Sequence, residues 1–230
     1  IIDGTLAPGT PLSERALSER FELSRTPIRQ VIWQLERDLL VEVHENRGAF
    51  VAKLGANEIL ELFQLREALE PVAAMLSGAN RPDTELADLE RRMREAEADP
   101  NASTSQLTAL GEELHDSLVR WSGNRMLGRI YETIRLRTHL LRNLLHDAPG
   151  MERQSLREHL AILEALGIRD RHGARRAMSA HLRRAKLAII EELFDATGPF
   201  DEDDLPDRQA FHDGTRDRRP YRHTDGDTLH

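Results

Sequence analysis

Apolar residues recur along this chain at two spacings, and the switch between them marks its organisation. Ala16, Leu17 and Phe21 give a narrow apolar face to a first short helix. Glu22-Leu23-Ser24 reads as a turn with one hydrophobic anchor, and Ile28, Val31, Ile32 and Leu35 then return at three- and four-residue intervals, as a helix requires. Pro27 falls in the first turn of this second helix, where a missing N–H loses no partner. The spacing then shortens. Leu40-Val41-Glu42-Val43 and Ala49-Phe50-Val51 are partly alternating segments around His44-Glu45-Asn46-Arg47-Gly48, the pattern of a two-stranded hairpin. Two short helices, a tight turn and a hairpin predict a winged helix-turn-helix over residues 1–52.

From Asn57 onwards no strand signal remains. After a connector at 53–56, helical spacing predicts six helices near 58–77, 84–98, 103–121, 125–146, 152–167 and 173–195. Gly, Pro, Asn and Asp clusters separate them, and Asn57 and Ser103 are read as N-caps. The expectation is a mainly α chain: the winged helix-turn-helix, then an antiparallel all-α helical bundle over 57–196. Residues 197–230 are charged, poor in aliphatic side chains and broken by Gly and Pro, so they are expected to form a disordered tail.

Composition narrows the function. The chain has no cysteine, which excludes disulfides, cysteine zinc sites and thiol nucleophiles. It has no membrane-length apolar run and no signal-peptide pattern, so a cytoplasmic, soluble protein is expected. The net charge of −8 argues against a generally basic nucleic-acid binder, and residues 1–53 carry seven basic and eight acidic side chains. Local arrangement then decides. Arg25 and Arg29 are four residues apart and project from one face at the start of the second helix, with Thr26 and Gln30 beside them. A recognition helix reads base edges with its N-terminal residues, and arginine is the usual bidentate reader of guanine. Arg15 on the first helix could hold a phosphate or a base edge, and Arg47 with Gly48 at the wing tip could approach the backbone or the minor groove.

Five side chains in the helical part break their own apolar stripes. Arg66 sits within Ile59, Leu62, Leu69, Ala73 and Leu76, and Arg137 within Leu127, Ile130, Ile134, Leu141 and Leu144. A buried arginine must meet an anion, because an unpaired buried charge costs several kcal/mol. That anion is either an internal partner such as Glu70 or a small carboxylate ligand held between the two arginines. His115, His159 and His181 lie on or beside inward faces of three different helices, and helical bundles build metal sites from facing helices. His139 and His146 are seven apart and are alternative ligands or part of a solvated face.

The run LSERALSERFELSRTPIRQVIWQLE…GAFV resembles the DNA-binding domain of GntR-type bacterial transcription regulators. By that resemblance Arg15, Ser24, Arg25, Thr26 and Arg29 are the DNA contacts, with Asn46, Arg47 and Gly48 at the wing. The family's first helix has already ended where Gly4 and Gly9 fall, which implies that an N-terminal helix precedes Ile1. The family also has Gly before the Leu-Val that opens the wing, where this chain has Leu39. A leucine forced to positive φ costs about 1–2 kcal/mol, so a reshaped helix exit is expected.

FQLREALEPVAA, LHDSLVRWSGN, EHLAILEAL and ARRAMSAHL resemble signatures of the FCD effector domain of FadR-like GntR regulators. The resemblance implies a divalent metal, zinc or nickel, held by one Asp and three His and completed by a small organic acid. The histidines fall on His115, His159 and His181, but the Asp position is Gly111. Glu112, three residues before His115, could supply the missing carboxylate, three imidazoles could suffice alone, or the pocket could hold no metal. Arg66 and Arg137 are the candidate effector residues. The expected function is a metabolite-responsive regulator, a repressor by family analogy, that binds a near-palindromic operator in double-stranded DNA as a homodimer. Alternatives are a dimer without ligand response, an acyl-coenzyme A effector, and a metal-dependent hydrolase using Glu112 or Glu113 as base.

Overall fold

The computed structural model describes residues 1–2, 4–144 and 150–195, with side chains described outside 142–144 and 192–195. The expected tail and His146 lie outside these residues. The fold is mainly α, a winged helix-turn-helix followed by an antiparallel helical bundle. In order, the elements are β1 (Pro11–Leu12), α1 (Glu14–Phe21), α2 (Arg25–Arg37), β2 (Val41–His44), β3 (Gly48–Val51), α3 (Ala56–Asn80), α4 (Asp83–Ala98), α5 (Thr104–Trp121), α6 (Arg125–Leu144), α7 (Met151–Gly167) and α8 (Arg171–Asp195).

The wing is a three-stranded antiparallel sheet in the order β1-β3-β2, not the two-stranded hairpin expected. Pro11 pairs with Phe50 and Leu12 with Ala49. Two residues are too short a run to show alternation, so this strand had no periodic signal. The head's core is small: Leu12, Ile28, Ile32, Val41, Ala49 and Val51, with Leu17 and Leu35 packed beside it. Val31, expected in the stripe, is 55 % exposed, and Phe21 is 58 % exposed. Ile28, Ile32 and Leu35 fall within a narrow arc at 3.6 residues per turn, whereas Val31 lies at its edge, beyond a core this narrow. α1 buries no residue fully; Leu17 packs beside the core and the Ser13 hydroxyl caps the helix by accepting from Ala16 N–H.

Leu39 adopts φ 58°, so the helix exit is not reshaped: the leucine takes the left-handed conformation itself. Leu39 N–H donates to Glu36 and Leu40 N–H to Leu35, closing α2 while Leu40 turns inward.

In the bundle, Ser103 caps α5 by accepting from Gln106 N–H, as expected. Asn57 does not cap α3; the helix begins at Ala56 with Gly55 at its N-cap. α3 also runs on through Gly78 to Asn80, where a break was expected, because a Cβ-free residue there lets Arg171 of α8 lie against the helix. One apolar core joins α4, α5, α7 and α8 through Leu89, Met93, Leu114, Leu163 and Met178. A second joins the head to the bundle: Leu40 and Leu54 pack with Ile59, Phe63, Leu141, Ala185 and Ile189. The winged head is therefore seated on the same apolar surface that forms one end of the bundle.

Candidate functional site

In the head, Arg15, Ser24, Arg25, Thr26, Arg29 and Gln30 are all exposed, as are Asn46, Arg47 and Gly48 at the wing. Ser24 is the N-cap of α2, but its hydroxyl makes no cap hydrogen bond. Asn46 and Gly48 both take positive φ, which turns the wing tip, and Arg47 lies over the Phe50 ring with its guanidinium 5.9 Å from the centroid. Arg29 is not a loose side chain. Its Nε and Nη2 donate to both oxygens of Glu14 on α1, at 3.0 and 2.9 Å. That contact holds the Glu14 carboxyl below its ordinary pKa. Arg15 pairs likewise with Glu19 at 2.9 Å. Exposed pairs of this kind are weak in water, so either arginine can exchange its partner for another anion at little cost.

In the bundle, α5, α7 and α8 bring His115, His159 and His181 together, all buried. Among the described residues they form the group whose ligand atoms converge, all lying within 4.8 Å of one another. His159 Nε2 and His181 Nε2 are 3.2 Å apart. Two nitrogens bound to one tetrahedral metal at about 2.0–2.1 Å stand about 3.3 Å apart, so the separation fits a shared ion. Two carboxylates orient the rings from behind. Glu70 Oε2 lies 2.5 Å from His115 Nδ1, and Glu158 Oε2 lies 2.8 Å from His181 Nδ1. Each leaves the opposite ring nitrogen facing inward, the usual support of a metal-binding histidine. Burial lowers the His181 pKa to about 4, against the pull of Glu158. The ring is thus neutral near pH 7, the form that can bind a metal.

Arg66 meets the internal partner considered for it: its Nε donates to Glu70 Oε1 at 2.6 Å. Burial would raise the Glu70 pKa, but the positive charge of Arg66 and the contact with His115 outweigh it and hold the carboxyl well below its usual range. Arg66 nonetheless also lines a cavity of about 570 Å³ beside His159 and His181. Arg137 does not line that cavity. Its charged neighbours are Glu58 and Glu61 on α3 and Glu42 on β2, and desolvation lowers its pKa despite them. Arg137 is partly buried, where its place in the apolar stripe predicted an inward side chain. Glu112 lines the cavity and lies 3.1 Å from His139 Nδ1, and it is not in the converging group.

Gly111, where the resemblance places an acid, has a distinct role. A Cβ there would sit 2.8 Å from His159 Cε1. The absent side chain makes room for the His159 ring against α5. Glu158 went unnoticed in the sequence, since its partner is 23 residues away on another helix.

A winged helix-turn-helix seated on a helical bundle, with imidazoles converging beside a cavity, is the architecture of a DNA-binding protein. Comparison with known proteins agrees. Residues 1–51 match the bacterial regulatory proteins of the gntR family, and residues 61–184 match the FCD domain. The chain is 30% identical over 183 residues to the HTH-type transcriptional regulator YdhC of Bacillus subtilis (strain 168), covering 79% of this chain and 82% of that protein. It is 27% identical to the HTH-type transcriptional repressor RspR of Escherichia coli (strain K12), over 82% of this chain and 83% of that one. The solved structure of E. coli McbR/YncC superposes with a TM-score of 0.71 at 21% identity, covering 84% of this chain and 92% of that chain. The chain belongs to the GntR family of transcription regulators and carries an FCD domain as its helical part. It is a regulator that binds DNA through its helix-turn-helix; its relatives are not enzymes. No helix among the described residues is long and apolar enough to cross a membrane.

Proposed function

We propose that this regulator is a cytoplasmic repressor that binds a near-palindromic operator as a homodimer and is switched by a small carboxylate at a metal held by His115, His159 and His181. The division of labour is residues 1–52 for DNA and 57–196 for ligand and dimerisation, joined by 53–56. Arg25, Thr26 and Arg29 read base edges, while Ser24, Arg15, Asn46, Arg47 and Gly48 contact backbone or minor groove. The repressor sense is supported by the similarity to RspR, a transcriptional repressor.

The observation that carries the metal reading is the pair of carboxylates, Glu70 and Glu158, behind two converging imidazoles. Zinc or nickel suits an all-imidazole set, and a bound ion would offer open positions to a carboxylate. With Gly111 in place of an acid, the three rings are the core of the site; Glu112 faces His139 and is the weaker candidate for a fourth ligand. Arg66, at the cavity wall, completes the charge match for a carboxylate.

His159→Ala should lose metal, measured by elemental analysis of the purified protein, and Glu112→Ala should retain it. Unchanged metal content in His159→Ala would eliminate the proposed ligand set.

A further inference from the structure

A metal-bound acid of only a few carbons would leave most of the cavity unused. At about 570 Å³ it is of the size that encloses drug-sized molecules, roughly 300–1,000 Å³. Its length follows from helix geometry. On α8 the lining descends from His181 through Ala185 to Ile189, and on α7 from His159 to Met151. On α5 it descends from Gly111 through Leu107 to Ser103. Each wall spans eight residues in four-residue steps, so at about 1.5 Å per residue all three extend about 12 Å from the imidazoles.

The chemistry changes along that length. Near the imidazoles stand Arg66, the one permanently cationic side chain among the described lining residues, and Glu112, whose carboxylate is paired with His139 at 3.1 Å. Beyond the first turn the largest side chains of the wall are apolar, Leu107, Leu141, Met151 and Ile189 with Ala185, and the short hydroxyl side chains Ser103, Ser105, Thr108 and Ser155 lie among them. At the far end Glu152 is acidic, which opposes a second carboxylate there.

We infer that the effector is an amphipathic monocarboxylate, its head at the imidazoles and Arg66 and its aliphatic or aryl body along the apolar wall. With carbon–carbon bonds of about 1.5 Å, the span accommodates roughly eight to ten carbons. The inference rests on the carboxylate reading above and adds the tail. It also supplies a route to the head, because Phe63, Leu141, Ala185 and Ile189 belong to the apolar cluster that seats Leu40 and Leu54.

Titration calorimetry on the full chain loaded with zinc, using octanoate, acetate and citrate as probes, tests it. Octanoate should bind at least ~100-fold more tightly than acetate or citrate, since each fully buried methylene is worth about four-fold. Ala185→Phe should weaken octanoate more than ten-fold and leave acetate unchanged. Should that variant not fold by circular dichroism, Ile189→Thr should weaken octanoate several-fold with acetate again unchanged. Octanoate no tighter than acetate, or citrate tightest of the three, overturns the tail while leaving the carboxylate reading standing. No binding of any of the three overturns both.

Discussion

At the residue scale, the side chains proposed to meet DNA are held by exposed partners that matter little to stability. Arg29 is aimed by Glu14, an exposed pair whose loss in water is easily tolerated. Arg29→Ala should therefore abolish specific operator binding in fluorescence anisotropy while leaving the melting temperature and octanoate binding as they were. Normal operator affinity in that variant would place the reading face elsewhere. The buried groups behave differently. His181 is neutral in the folded protein, with a pKa lowered from 6.5 to about 4 by burial. Between those values the unfolded chain binds the proton and the folded chain does not, so stability falls as pH falls through that window. Glu158, lowered from 4.5 to about 2 despite its own burial by hydrogen bonds from His181, Arg184 and Gln154, extends the loss below pH 4.5. In metal-free protein, urea titrations should show stability level above pH 7 and reduced by a few kcal/mol at pH 4. A flat profile from pH 7 to 4 would mean that His181 is not held neutral.

Elements follow the periodicity closely where they are long and less so where they are short. All six bundle helices lie close to where apolar spacing put them, because a stripe of several turns averages over local exceptions. The two-residue β1 and the exposed Val31 show the opposite limit, where a small core admits only the centre of a stripe. The end of α2 is the clearest element-level departure. Leu39 keeps the left-handed turn that glycine would take freely, and at 47 % exposure it gains little packing in return. Relief of about 1–2 kcal/mol of backbone strain, offset by about 0.5–1 kcal/mol of added chain entropy, leaves a modest gain for Leu39→Gly. That variant should raise the urea midpoint by a small amount corresponding to about 0.5–1 kcal/mol, with an unchanged slope; a lower midpoint would show that the leucine side chain matters more than its φ.

Across the whole molecule, the cavity and the DNA-binding head meet at one junction. Apolar contact is supplied by the cluster around Leu40, Leu54, Phe63 and Ile189. Arg137 lies within electrostatic reach of Glu58 and Glu61 on α3 and of Glu42 on β2, each of which favours its charged form. A ligand can shift the head only by binding more tightly to one arrangement of this junction than to another. Arg137→Met should therefore leave octanoate and operator affinities close to normal when each is measured alone, yet shrink the change in operator affinity that octanoate produces by several-fold. Since coupling is reciprocal, operator DNA should also change octanoate affinity less in this variant. Undiminished coupling in both directions would remove Arg137 from the link.

Much of this protein could be read from order along the chain alone. Helical and alternating spacing yielded the two-part architecture, and the break of Arg66, His115, His159 and His181 from their own stripes marked them as inward-facing polar groups. Such patterns are local, and local geometry follows from a repeat of 3.6 or 2. Which inward groups meet is not local. Only the packing of the bundle helices decided that Glu70 and Glu158 stand behind His115 and His181, that the His159 ring fills the space over Gly111, and that Arg137 does not line the cavity. Each helix carries its own stripe, but the rotation and offset between helices, on which a contact of a few ångströms depends, exist only once they have packed.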